Sequence, residues 1–224
     1  MKALSFVLLL LMSSTLLAED ISPPSLLGEH AQPGTLLFSK GDCLAVRVFT
    51  GSPYTHVAMI CPEEGDLVVY DANPGDGVRR QSLDEYLKSI APGELQLLQP
   101  RRPLTGDEQT RLQSYLTSKL GTPYSVMHHT TGHRADGVHC AEYLTDALME
   151  LQWIEAESPP RVSPGSLLQG LTAGKVYVSG ASYQMEEPDV STPVGRNSCE
   201  QLWLDTKSCC RKCCRQLSRW FLCR

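Results

Sequence analysis

Three residues of this sequence have the types that nucleophilic catalysis by sulfur requires: Cys140, His56 and Asp71. A thiol attacks only as its thiolate. A free cysteine, with a pKa of ~8.5, is mostly protonated near neutral pH, and a helix N-terminus or an adjacent imidazolium lowers that value by several units. Cys140 opens the strongest helical pattern in the chain, CAEYLTDALMELQW, in which Tyr143, Leu144, Ala147, Leu148 and Leu151 form one apolar stripe. The unpaired N–H groups of the first turn of such a helix would stabilise a thiolate and help hold an oxyanion. His56 sits in the strand-like segment Pro53-Tyr54-Thr55-His56-Val57. Asp71 ends the next strand-like segment, LVVYDA, and an antiparallel pairing of the two brings its carboxylate within reach of the imidazole. There it would hold the tautomer and stabilise the imidazolium. Each residue also has a plainer reading. A helix-start cysteine serves as apolar filler or a disulfide partner, a strand histidine as a satisfied structural group, and Asp71 before Asn73-Pro74-Gly75 as a turn cap. The three residues alone leave that choice open.

The elements that must position them alternate along the chain. Pro33-Gly34 opens a short buried strand, Thr35–Phe38. Gly41–Thr50 fits either a helix or a strand, and Gly51-Ser52-Pro53 breaks it. Thr55–Cys61 and Leu67–Ala72, joined by the Glu63-Glu64-Gly65-Asp66 turn, read as a hairpin. After the turn cluster Asn73–Gly77, Ser82 caps a short helix with Glu85 at the capping-box position. Glu94–Gln99 is a strand, and Thr105 caps a helix that Gly121-Thr122-Pro123 ends. A polar stretch from Ser125 to Gly137 precedes the Cys140 helix, and Lys175–Ser179 is a last short strand. Strands first and a nucleophile-bearing helix later imply an α+β domain, with a small antiparallel sheet packed against helices.

At these residues the sequence resembles the NlpC-type papain-like superfamily. The resemblance is to its circularly permuted, YiiX-like branch, which is related to lecithin–retinol acyltransferase-like enzymes. Pro33–Phe38 looks like the family's opening strand, and Ser52–Ile60 like the strand carrying its histidine. Val68–Ala72 is similar to the strand bearing the third catalytic member, and Gly77–Leu87 to the turn and helix that follow. Leu120-Gly121-Thr122-Pro123-Tyr124 looks like the Gly-x-x-Tyr segment, and Val138–Leu144 like the nucleophile helix. Histidine precedes cysteine, as in the permuted branch. Two positions depart from the pattern: Asp71 stands where relatives also use glutamate or histidine, and Thr35 stands where the opening motif has aspartate. The resemblance implies a Cys140–His56–Asp71 triad, with Tyr124, Thr55 and His139 as candidate substrate or oxyanion groups. It also implies attack on an amide or ester carbonyl through an acyl-enzyme, with no cofactor. A cell-wall peptide or a lipid is the expected kind of substrate. A non-catalytic binding module of the same fold is the alternative.

The chain as a whole sets further bounds. Its 224 residues suit one domain, 42% hydrophobic content supports a packed core, and a net charge of −5 excludes nucleic acid as the main partner. Residues 1–18 read as a secretory signal: Lys2, an apolar run from Ala3 to Met12, then Ala18 before Glu19-Asp20. The expectation is therefore an exported protein, periplasmic or secreted, with residues 19–32 a leader, 33–184 the catalytic domain and 185–224 a tail. Nine cysteines suit an oxidising compartment. Cys43 and Cys61 could staple the His56 segment, leaving Cys140 the free thiol. His128, His129, His133 and His139 lack a closed four-ligand pattern and read as a polar loop lining a cleft, with no metal. The tail beyond Met185 shows no periodicity and holds six cysteines. Within Arg196–Arg224 seven basic residues face only Glu200 and Asp205. A disulfide knot is the favoured reading of it. A thiolate metal or redox site in the cell envelope, a membrane-surface segment and an appendage without chemistry are the others.

Overall fold

The computed structural model describes residues 27, 31–41, 43–134, 136–186 and 193–222. The expected signal over 1–18, nearly all of the 19–32 leader, Asp42 and Cys223 lie outside the described residues, as does the side chain of His128. Six strands form one sheet: β1 (Thr35–Lys40), β2 (His56–Glu63), β3 (Asp66–Asn73), β4 (Gly77–Ser82), β5 (Gly93–Pro100) and β6 (Tyr177–Met185). Their spatial order is β4-β3-β2-β1-β5-β6, with every neighbour antiparallel. Seven helices accompany it among the described residues: α1 (Leu44–Thr50), α2 (Leu83–Ile90), α3 (Gly106–Ser118), α4 (Met127–Thr131), α5 (Cys140–Glu150), α6 (Pro164–Ala173) and α7 (Ser198–Leu222).

Both faces of the sheet are covered, which explains why the central strands read as continuous apolar runs rather than alternating ones. Leu36, Phe38, Val57 and Met59 meet the stripe of α5 on one face. Leu37, Ala58, Ile60 and Val69 pack under Leu83, Tyr86 and Leu87 of α2 on the other. Each such large side chain contributes on the order of 1.5–3 kcal/mol when fully buried. In α5 the residues expected to face inward are all buried, and Glu142 and Thr145 are buried with them. Capping boxes start α2 (Ser82 with Glu85) and α3 (Thr105 with Glu108), each satisfying two backbone N–H groups.

Of the two readings open for Gly41–Thr50, the structure takes the helix, α1, over Leu44–Thr50. It departs from the sequence reading in three places. Gly77–Ser82, expected as a turn leading to a helix, is an edge strand; GVRRQS is too polar to register as one, because half of it faces water and its arginines are held by carboxylates of neighbouring strands. Cys61 is a free, buried thiol, so no bridge to Cys43 staples the His56 segment. The tail is not a knot but a long continuous helix, α7, with Cys199, Cys209, Cys210, Cys213 and Cys214 free and exposed.

One contact of β4 bears directly on the site. Gly77 has φ +72°, and a Cβ there would lie 2.3 Å from the Thr122 carbonyl oxygen. That approach lets Val78 N–H donate to Thr122 O at 2.8 Å and Gly121 N–H to Val78 O at 2.9 Å. The Tyr124 loop is thereby fastened to the sheet. Gly77→Ala is expected to destabilise the protein by roughly 2–4 kcal/mol through backbone strain and collision. Gly65→Ala, with positive φ but open space around it, should cost clearly less. Denaturant unfolding of both variants checks the difference.

Candidate active site

His56 is the first residue of β2. The β2–β3 register pairs Met59 with Tyr70; continued to the start of β2 it sets His56 opposite Asn73, with Asp71 diagonally adjacent on the same face. Accordingly His56 Nε2 lies 2.9 Å from Asp71 Oδ2. That contact occupies Nε2 and leaves Nδ1 for the sulfur. Cys140, at the first position of α5, lies close enough to the His56 ring for each group to shift the other's pKa. The structure thus brings Cys140, His56 and Asp71 together.

The electrostatics of the group follow from its burial. Cys140 is 3% exposed and Asp71 1%. Burial alone would raise the Cys140 pKa, but the His56 charge and hydrogen bonds with His139 and His56 outweigh it and bring the thiol down to about 6. Burial by itself would lower the His56 pKa; the Cys140 charge, the Asp71 hydrogen bond and the Cys140 hydrogen bond raise it to about 10. Sulfur and ring are therefore a thiolate–imidazolium pair across the neutral range. Burial opposes ionisation of Asp71 as well, and hydrogen bonds and charge from His56 and Arg79 more than offset it, holding the carboxyl below its ordinary range.

Arg79 is the functional neighbour that sequence reasoning missed. Its Nε donates to Asp71 Oδ1 at 2.8 Å, and a terminal nitrogen reaches Asp71 Oδ2 at 3.3 Å. Its other terminal nitrogen donates to Asp76 at 2.9 Å. A signal was present: Asp71 and Arg79 are equidistant from Gly75, the centre of the Asn73–Gly77 turn, and they are direct partners in the β3–β4 register.

His139 is the N-cap of α5. Its Nδ1 accepts from Glu142 N–H at 3.3 Å, and its Nε2 donates to the Pro160 carbonyl at 2.9 Å. The ring is buried and packs edge-on against His129, with centroids 5.8 Å apart. It orients the helix mouth rather than facing the cleft. Thr55 and Tyr124 do line a cleft of about 460 Å³, together with His56, Asp71, Arg79 and Tyr86. Thr55 Oγ1 accepts from Gly41 N–H at 3.0 Å. Tyr124 is held by a backbone bridge to Val138. Burial, and then the Cys140 charge, push its hydroxyl pKa upward, which keeps it a proton-bearing donor. Tyr86, fully buried, stacks at a tilt 6.3 Å from the His56 ring, and its hydroxyl finds no hydrogen-bond partner of good geometry among the described residues. Cys140, 3% exposed, is not among the residues lining this cleft.

Comparison with known proteins places this geometry in context. Residues 30–159 match the family described as permuted papain-like amidase enzyme, YaeF/YiiX, C92 family. No curated protein matches. Among solved structures, the chain is similar to one titled metalloprotein yiiX from Escherichia coli O157:H7, with a TM-score of 0.56 and 16% identity over 68% of this chain and 98% of that one. In this chain, no group of three or more His, Cys, Asp or Glu side chains among the described residues is arranged to hold a metal ion. With its match spanning more than half of the sequence, the chain belongs to the permuted papain-like amidase family, YaeF/YiiX, C92.

Proposed function

We propose that the protein is an exported cysteine amidase in which Cys140 is the nucleophile, His56 the general acid–base and Asp71 its orienting carboxylate. The observation that carries this reading is the convergence of the buried Cys140 at the start of α5 on the His56 ring, with Asp71 2.9 Å from Nε2 of that ring. The Cys140 sulfur attacks the substrate carbonyl carbon and forms a C–S bond. The carbonyl oxygen becomes an oxyanion beside the first turn of α5. The Cys140 and Ala141 N–H groups, for which no acceptor is present among the described residues, stand at that position. His56 gives its proton to the leaving nitrogen as the C–N bond breaks. Water then attacks the thioester, the neutral ring takes its proton, and the acid leaves as the thiolate reforms. Tyr124 is a further donor candidate at the cleft wall, and Thr55 a contact for substrate. An ester would pass through the same steps, and a non-water acceptor would turn hydrolysis into transfer. A peptide amide of the cell wall or a lipid ester both meet these requirements. Export rests on the signal-like segment at residues 1–18.

One observation favours a second reading. The near-sealed sulfur, 3% exposed and outside the cleft lining, is what a binding module that retained the fold would also show. Reactivity separates the two. Below about pH 6 the thiol is protonated and cannot attack; above about pH 10 the ring loses the proton it must donate. Iodoacetamide labelling of Cys140 should therefore climb through pH 6, and kcat/KM should be bell-shaped between these limits. His56→Ala should slow labelling at pH 7 at least about tenfold, because the thiol returns toward its ordinary pKa. Labelling that is slow at pH 7 and unchanged by His56→Ala would leave only the binding module.

Two further outcomes are expected. Incubation with amide and thioester-forming ester probes should leave an acyl adduct on Cys140 visible by intact mass, absent in Cys140→Ser, while His56→Ala lowers turnover by roughly 10²–10⁴. Arg79→Ala leaves the buried Asp71 carboxylate with His56 as its remaining charged partner, and should lower unfolding stability by roughly 3 kcal/mol. Urea titration at neutral pH measures it.

A further inference from the structure

The helix α7 separates its side chains by kind. Projected at 100° per residue, Leu202, Trp203, Leu217, Trp220 and Phe221 fall within one arc of about 140°. Every described cysteine of the tail lies in the same arc. Free cysteine behaves as a small apolar side chain. Lys207, Arg211, Lys212 and Arg215 lie outside the arc, all exposed. Exposure follows the same division. Leu202, Trp203 and Phe221 are 69%, 64% and 66% exposed, whereas Gln201, Leu204 and Ser208, on the opposite side, are half-buried. The helix meets the body through α1, which leaves its own Val48 and Phe49 exposed. A globular helix ordinarily turns its apolar side inward. This one turns it to solvent.

We infer that α7 is a binding surface for an anionic lipid bilayer, lying in the plane of the interface with its Trp203–Phe221 face in the headgroup region. Charge selects this occupant. The helix carries five basic residues against two acidic ones, on a chain whose total is −5, so positive charge is concentrated on the same helix that bears the apolar face. A second copy of α7 would set two like-charged helices side by side, whereas anionic headgroups neutralise the cations flanking the face. Tryptophan and phenylalanine suit the headgroup boundary, and lysine and arginine stems reach along it with their charges in water. With 25 residues at 1.5 Å each, α7 is about 37 Å long. It has no window apolar enough to cross a membrane. It therefore lies on the surface rather than spanning.

The full-length protein, with the disulfide of Cys43 left intact, is mixed with vesicles of phosphatidylcholine alone and of phosphatidylcholine containing phosphatidylglycerol. Binding is read by co-sedimentation and by tryptophan emission. Sedimentation with the anionic vesicles only, a blue shift in emission, and release by added salt are expected. The Trp203→Glu/Phe221→Glu and Lys207→Glu/Lys212→Glu variants should each weaken binding at least about tenfold. Their iodoacetamide labelling at Cys140 should match the unmodified protein, showing that the catalytic domain is intact. Failure to bind either vesicle, equal binding to both, or binding unchanged in the variants would overturn the inference. So would a concentration-dependent dimer dispersed by Trp203→Glu/Phe221→Glu, which would assign the face to a second copy.

Discussion

A carboxylate that is almost wholly removed from water cannot remain ionised without compensation, and Asp71 is such a group. It is held by two cationic partners on neighbouring strands: His56 to one side at 2.9 Å and Arg79 to the other at 2.8 Å. With the Asp71 charge secured, the His56 ring is fixed in one orientation and its proton made hard to remove. With the ring charged, the sulfur of Cys140 is ionised despite its own burial. Each charge in the series exists because of the one before it. The stacking of α2 over the sheet, which brings Tyr86 against the imidazole, keeps the water out that would otherwise weaken them.

The supporting shell serves the same end by other means. His139 contacts the Glu142 N–H and the Pro160 carbonyl, which sets the direction of the α5 mouth, and it lies near enough to Cys140 to help lower the thiol pKa. Gly77 permits a backbone approach that no side chain would, and the Tyr124 loop is tied through it to β4 and through Val138 to the nucleophile segment. These contacts set the tolerance within which the reacting groups must be held.

Much of this was legible in the sequence because the central elements announce themselves. The β1–β3 segments are apolar runs bounded by turn residues, the caps of α2 and α3 have their own motifs, and the α5 stripe keeps an unbroken helical period. Histidine ahead of cysteine pointed to the permuted order. What escaped notice did so for specific reasons. β4 is polar because it is an edge strand, and Arg79 was hidden with it, although mirror-counting about Gly75 would have set it opposite Asp71. The period of α7 was obscured by treating cysteines as crosslinks. Counted as small apolar residues, positions 199, 202, 203, 209, 210, 213, 214, 217, 220 and 221 recur at intervals of three, four and seven. The placement of Cys43 and Cys61 around the histidine segment suggested a bridge, but chain proximity says nothing of which face each sulfur takes; Cys61 points into the core between Val57-side and α5 residues.

The permuted order also bears on how the protein comes into being. His56, Asp71 and Arg79 lie within one run of consecutive antiparallel strands, so base, orienting carboxylate and guanidinium assemble from local contacts early in the chain. The sulfur arrives much later, on a helix that must dock across β2 and β3 before it meets them. Until then its thiol has neither imidazolium nor ordered helix mouth beside it, and remains an ordinary, protonated cysteine. An unfinished chain thus carries no potent nucleophile, and chemical potency is conferred by the last act of folding.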